Sequence, residues 1–432
     1  MCRTASCWGA RFAFPRGRTD QDRGRASVQL WQPSIPESYH RRSDADLSQA
    51  IEARRKELGN RLIILGHHYQ TDEVIAHADF TGDSLKLSQL AAQEVGQRGA
   101  EFVVFCGVHF MAESADLLAP EGTRVILPDL SAGCSMADMA AYEDAQEAWR
   151  RIHASLEAQG WVGRVIPITY VNSTAAVKAF VGQHGGACCT SSNADLVFEW
   201  ALKGGEQKGK RGEAIKLLFL PDQHLGRNTA AKAGMRTEVN GGRDTVLYDP
   251  KQTRRGATLG GMTSEELLDA KVVLWAGHCS VHKLFRPEHC VAVRKADPKV
   301  QILVHPECAK EVVDLSDLSG STEFIIRTIE SAAPGSSWAV GTETHLVNRI
   351  ARQAATRDVT VRILSDCQCL CTTMYRIDQP HLLWVLDQLA QGKVVNEISV
   401  HAEAKKWALV ALDRMLQLVR DPKPESIPAL VD

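Results

Sequence analysis

The feature that most restricts this chain is a rhythm of short, continuous apolar runs separated by stretches of helix length. Arg61-Leu-Ile-Ile-Leu65, Glu101-Phe-Val-Val-Phe-Cys106 and Arg124-Val-Ile-Leu127 come first. Val165 to Thr169, Ile215 to Leu220, Lys271 to Trp275, Val300 to Val304, Trp338 to Val340 and Val359 to Leu364 continue the series. A run that is apolar throughout buries both faces of its strand, as in a parallel sheet covered by helices. Residues 50–58, 84–96, 111–118 and 400–419 read as helices between or after these runs. The fold class is α/β, and so many strands predict several small three-layer units rather than one sheet. The last helix is expected to pack on the first unit.

Conspicuous residues recur just after the strands: Tyr69, Cys106, Tyr170, Asp222, Cys279, His305 and Thr342. Ligands of open parallel sheets bind at the carboxyl ends of strands, so these residues predict a shared cleft. Two segments break the rhythm. Residues 227–261 read as a surface insertion, either a lid or a decorated loop. Residues 1–44 are arginine-rich without periodicity and read as a disordered or atypical tail.

Composition excludes several classes. A formal net charge of −2 with no basic stripe argues against a nucleic-acid binder. No apolar run is long enough to span a membrane. Twelve unevenly spaced cysteines in 432 residues fit a reduced, cytoplasmic protein with a metal site better than a disulfide scaffold. Neither glycine-rich nucleotide signature occurs.

What remains is chemistry in the turns. Gly82-Asp-Ser84, Thr190-Ser-Ser-Asn193, Gly320-Ser-Thr322 and Gly341-Thr-Glu343 place hydroxyls beside backbone N–H groups. Singly each reads as a helix cap; together they suit a multiply anionic ligand. His305-Pro-Glu-Cys308 sets an acid/base pair at a strand end, or a satisfied loop histidine. Among the thiols, Cys134, Cys279 and the Cys367-Gln-Cys-Leu-Cys371 cluster lie in turns, whereas Cys106 reads as core. Spacing alone does not choose ligands from this set.

Read together, these segments closely resemble the quinolinate synthase family, the A protein of bacterial NAD biosynthesis, in its longer form. The resemblance rests on Gly66-His-His-Tyr-Gln70, Phe105-Cys-Gly-Val-His-Phe-Met-Ala-Glu113, Gly133-Cys-Ser-Met136, Thr169-Tyr-Val-Asn172, Pro221-Asp-Gln-His-Leu-Gly226, Gly277-His-Cys-Ser-Val-His282, His305-Pro-Glu307 and Cys371-Thr-Thr-Met374, in that order. It implies three similar three-layer αβα units with short parallel sheets, in pseudo-threefold arrangement around a central 4Fe–4S cluster. The units would be 45–134 completed by 372–432, then 135–279 with the insertion, then 280–371. Cys134, Cys279 and Cys371 would be the ligands, leaving one iron open as a Lewis acid. Cys367 and Cys369 would be bystanders able to form a redox pair. Tyr69, Tyr170, His305 and Glu307 would act on the substrate. His67, Ser84, Asn172, Ser191, Ser321, Thr322 and Thr342 would help to bind it, and His282 would stand behind a ligand. The implied reaction condenses iminoaspartate with dihydroxyacetone phosphate to quinolinate, releasing phosphate and two waters. An upstream aspartate-oxidising enzyme is the implied partner.

Two other readings compete. A zinc hydrolase would use Cys279-x2-His282 with the Cys367–Cys371 run. An iron–sulfur sensor or scaffold would need a fourth protein ligand and show no turnover.

Overall fold

The computed structural model describes residue 32 and residues 34–207, 213–366 and 369–420. All of them belong to one compact unit starting at residue 31. The apolar runs all become strands, and they sort into three sheets.

The first sheet holds β1 (Leu62–His67), β2 (Phe80–Gly82), β3 (Phe102–Cys106) and β4 (Arg124–Ile126), all parallel in the order β4-β3-β1-β2. The second holds β5 (Gly163–Tyr170), β6 (Ala187–Cys189), β7 (Ala214–Leu220), β8 (Thr245–Tyr248) and β9 (Val272–Trp275), parallel in the order β6-β5-β7-β9-β8. The third holds β10 (Gln301–Val304), β11 (Leu318–Ser319), β12 (Ser337–Gly341) and β13 (Thr360–Ile363), parallel in the order β11-β10-β12-β13. Late in the chain β14 (Glu397–Ile398) returns to the first sheet, antiparallel to β4. The residues of β1 and β3, and Leu217 to Leu220 of β7, are buried, which is why these stretches are apolar without alternation.

The first and third sheets repeat one local frame. After β1 the His67 ring Nδ1 accepts the Tyr69 N–H at 3.1 Å; after β10 the His305 Nδ1 accepts the Glu307 N–H at 3.3 Å. Before β2, Asp79 exchanges bonds with Ile64, its carboxylate taking the Ile64 N–H at 2.7 Å. Before β11, Asp317 does the same with Ile302, also at 2.7 Å. Each carboxylate also meets an arginine, Arg55 at 2.8 Å and Arg294 at 2.9 Å.

Three expectations need correction. The terminal helix Ala402–Arg420 packs chiefly on the second sheet and reaches the first unit through Lys405, which donates to the Asp116 carbonyl at 2.5 Å: Ala408, Ala411, Leu412 and Met415 join the core containing Val177 and Val181. Gly182 makes this approach possible, since a Cβ there would lie 2.0 Å from the Trp407 carbonyl oxygen. Arg414 then donates to the Gly182 and Gly186 carbonyls at 3.1 and 2.8 Å. The helix Gln379–Ala390 and β14, with Met374 and Ile377 before the helix, complete the first unit.

The segment 227–261 is no loose lid. It contains the end of the helix Gln223–Lys232 and the edge strand β8, and is pinned by the buried Arg227 bonding Glu238 at 2.7 Å. The tail also ends earlier than residue 44. Ile35 is buried, and the Tyr39 hydroxyl donates to Asp387 at 2.8 Å. Residues 1–31 lie outside the described residues.

Candidate active site

Each sheet sends one cysteine to the same pocket. Cys134 follows β4 and precedes the short helix Ser135–Asp138, Cys279 follows β9, and Cys371 follows β13. Their turns are fixed from inside by carboxylates. Asp222, fully buried, caps the helix Gln223–Lys232 through the Leu225 N–H at 2.7 Å and accepts the Cys279 N–H at 3.2 Å. Glu343, fully buried, caps the helix Thr344–Ala355 and meets the Cys371 N–H at 3.5 Å. Asp129 takes the Ser131 N–H at 2.8 Å and the Arg376 guanidinium at 2.9 Å, joining the approach to Cys134 with the turn beyond Cys371.

Burial pushes the Cys134 thiol up to about 12, the Cys279 thiol well above its ordinary value, and the Cys371 thiol upward. With only protons available these sulfurs stay neutral. Pulling the other way are the backbone N–H groups of Ala137 and Met136 beside Cys134, of His282 beside Cys279, and of Thr373 and Met374 beside Cys371. N–H donors at sulfur favour the thiolate, the form in which cysteine binds a metal. The donor set therefore fits a sulfur-ligated metal group.

The opposite wall is a connected chain of polar groups. The Tyr69 hydroxyl meets Thr322 Oγ1 at 3.3 Å and Thr342 Oγ1 at 3.0 Å. Thr342 in turn meets His282 Nε2 at 3.1 Å, and His282 Nδ1 lies 2.6 Å from Glu307 Oε2. His305 stacks on His282 with ring centres 4.5 Å apart, its Nδ1 3.6 Å from the same carboxylate oxygen. Burial depresses His305 to about 3, and burial with the nearby His68 and Arg349 does the same to His67. For Glu307 burial alone would raise the carboxyl, but His282 and His305 pull it down to about 2. Burial and the Glu307 charge raise both Tyr69 and Tyr170, leaving neutral phenols that can donate. Asn172 Oδ1, Glu307 Oε1 and His282 Nδ1 are buried with no hydrogen-bond partner among the described residues, the last although it lies 2.6 Å from Glu307 Oε2. Unpaired polar atoms in a pocket wall mark where a ligand's donors go.

Of the residues singled out from sequence, His67, Tyr69, Ser84, Tyr170, Asn172, Ser191, His305, Glu307 and Thr322 line this pocket beside the three cysteines. Ser321 and Thr342 do not. Ser321 caps the helix Thr322–Glu330 by accepting the Phe324 N–H at 3.3 Å, and Thr342 sits behind Tyr69. Sequence reasoning missed Asp83, Thr190 and Thr373 as lining residues. The first two belong to hydroxyl turns already noticed, so a signal was present; the third follows Cys371 closely. Among the described residues, no residue lining this pocket comes from 227–261. Cys367 lies outside the described residues, so a pair with Cys369 has no structural description.

Cys279, His282 and Glu307 bring ligand-type atoms within 4.8 Å of one another, as a zinc site would. Of the His282 nitrogens, Nε2 is hydrogen-bonded to Thr342 Oγ1, whereas Nδ1 lies 2.6 Å from Glu307 Oε2 without a hydrogen bond. No described helix is long and apolar enough to cross a membrane.

Fold and pocket together define a class: α/β proteins of three sheets, each contributing a cysteine turn to one common pocket. Within that class the chain belongs to the quinolinate synthase family, whose model, described as quinolinate synthetase A protein, matches residues 49–417. It is 52% identical over 377 residues to a quinolinate synthase of a Nocardioides species, covering 87% of this chain and 90% of that one. It is 49% identical to the quinolinate synthase of Streptomyces coelicolor over 87% of this chain and 89% of the relative. With that of Bacillus subtilis it shares 47% identity, over 89% and 96%.

Proposed function

We propose that this chain condenses iminoaspartate with dihydroxyacetone phosphate to give quinolinate, releasing phosphate and two waters, in cytoplasmic NAD biosynthesis. One observation carries the reading: three cysteines, each following a different sheet, line one pocket. In this reading the three sheets form units in pseudo-threefold arrangement, and Cys134, Cys279 and Cys371 hold a 4Fe–4S cluster. When bound, that cluster supplies an iron without a protein ligand, a Lewis acid for a carboxylate or imine nitrogen.

The chain's own residues do the rest. Neutral His67, with the hydroxyls of Ser84, Ser191 and Thr322, binds carboxylate and phosphate oxygens. Asn172 accepts a donor of the substrate through its free Oδ1, and the Tyr170 phenol orients it. The Tyr69 hydroxyl holds a proton at the pocket and is hydrogen-bonded through Thr342 to His282, whose other ring nitrogen lies 2.6 Å from the Glu307 carboxylate. A proton taken from the substrate can thus be passed inward and returned during dehydration. An aspartate-oxidising enzyme supplies the unstable imine.

The test is an anaerobic assay with both substrates, read as quinolinate formed. Wild-type protein should be brown, with about four irons per chain, and active. Cys371→Ala should lose iron and activity together, while Cys369→Ala keeps both. The Cys279, His282 and Glu307 cluster favours a second reading, a single zinc ion. Colourless protein with stoichiometric zinc would establish that reading instead.

A further inference from the structure

The turn that carries His305 and Glu307 is held by a residue from another sheet. Asn228 lies in the helix Gln223–Lys232, which follows β7 of the second sheet. Its side-chain amide Nδ2 donates to two backbone carbonyls of the third sheet's turn, Pro306 and Cys308, each at 2.9 Å. These carbonyls bracket Glu307. The same helix is capped by Asp222, whose second oxygen holds the Cys279 N–H. One rigid element therefore touches both a cysteine turn and the acid/base turn.

The arrangement has a counterpart. Around the Tyr69 turn, the carbonyls in the matching positions belong to His68 and Gln70. Arg349, from the helix Thr344–Ala355 after β12, donates to them at 2.9 and 2.5 Å. A clamp that occurs on both copies of the frame, with a different donor side chain each time, follows the function of the turn rather than one local sequence.

We propose that Asn228 is a positioning residue for the reaction: its amide donors fix where Glu307 and His305 point relative to Cys279. Proline fixes one dihedral of the turn, and the Cys308 N–H to His305 carbonyl bond closes it at 3.0 Å. Neither sets the turn's tilt toward the neighbouring sheet. The paired bonds from Asn228 do, because both must be kept for the amide to remain in plane with two acceptors. The inference rests on the condensation reading for its kinetic arm, but not for its structural arm.

The test compares Asn228→Ala with Asn228→Asp in the full chain. Asp has the shape of Asn but lacks the NH2 donor group. Both variants should keep wild-type iron content and visible spectrum. In both, kcat should fall about 10- to 100-fold, the scale expected when reacting groups are displaced by around an ångström, while KM for either substrate changes little. Amide hydrogen exchange, measured whatever the protein turns over, should rise at 305–309 and stay unchanged elsewhere. Wild-type kcat or wild-type exchange at 305–309 in Asn228→Asp would overturn the proposal, since that change keeps the volume but removes both donors facing the Pro306 and Cys308 carbonyls. Increased exchange spread across the whole chain would overturn it as well. Absence of quinolinate from the wild-type protein, with exchange altered at 305–309 as expected, would count against the condensation reading alone.

Discussion

The turns after β1 and β10 share one frame and present different chemical groups to the pocket. In both, a buried histidine takes the N–H of the residue two positions on, and a carboxylate further along pins the strand. Where the first frame presents the Tyr69 phenol, the third presents the Glu307 carboxylate, and where the first presents Ser84, the third presents Thr322. The backbone device is thus separable from the reactive group mounted on it. One site gains a donor and an anion without a new fold for either.

Acid should strike both frames at once, with the largest effect. His67 and His305 have folded pKa values of about 3 against an ordinary 6.5, so the fold stabilises their neutral forms. That stability is fully present above about 6.5 and is lost as pH falls toward 3, because the unfolded chain binds the protons first. Glu307 adds a further loss from about 4.5 down to 2, which the Tyr69 frame lacks. Denaturant unfolding of cluster-free protein across this range measures the slope; a flat profile would break the comparison.

Next come the reactive groups. Glu307→Gln should keep the iron and lower kcat by ~10²- to 10⁴-fold, the usual range for removing an acid/base group. Tyr69→Phe should also keep the iron and cost less, about 10- to 100-fold, since Thr322 and the histidines remain. Equal losses would mean the two frames are not chemically distinct. The smallest effects belong to the pins. Asp79→Asn weakens the bonds to the Ile64 N–H and to Arg55, which keeps Glu52 as a partner, and should cost about 1–3 kcal/mol in unfolding experiments. Asp317→Asn, whose side chain is 45% exposed, should cost less than about 1 kcal/mol.

Which parts of this were readable in the sequence follows from burial. Strands covered on both faces, such as β3 and β7, announce themselves by unbroken apolar runs. The unanticipated strands β2, β6, β8, β11 and β14 all lie at sheet edges and span two to four residues, too short for any periodicity. The hydroxyl turns were visible, but not the division of labour within them. In Gly320-Ser-Thr322, for example, Ser321 is consumed by capping, which leaves Thr322 facing the pocket. Choosing Cys134, Cys279 and Cys371 needed the family resemblance, because nothing in their spacing says that three sheets meet. The links from Thr342 to His282 and from Asn228 to Pro306 cross between distant segments and leave no local trace.

The seat of the terminal helix has a consequence for synthesis. Tyr170 and Asn172 stand at the end of β5, whose sheet completes its core with Ala408, Ala411, Leu412 and Met415. A ribosome releases β5 long before it makes those residues. This pocket wall of the second sheet must therefore wait, partly uncovered, until residues 402–415 have been made, and a chain cut short before residue 402 would leave it permanently unroofed.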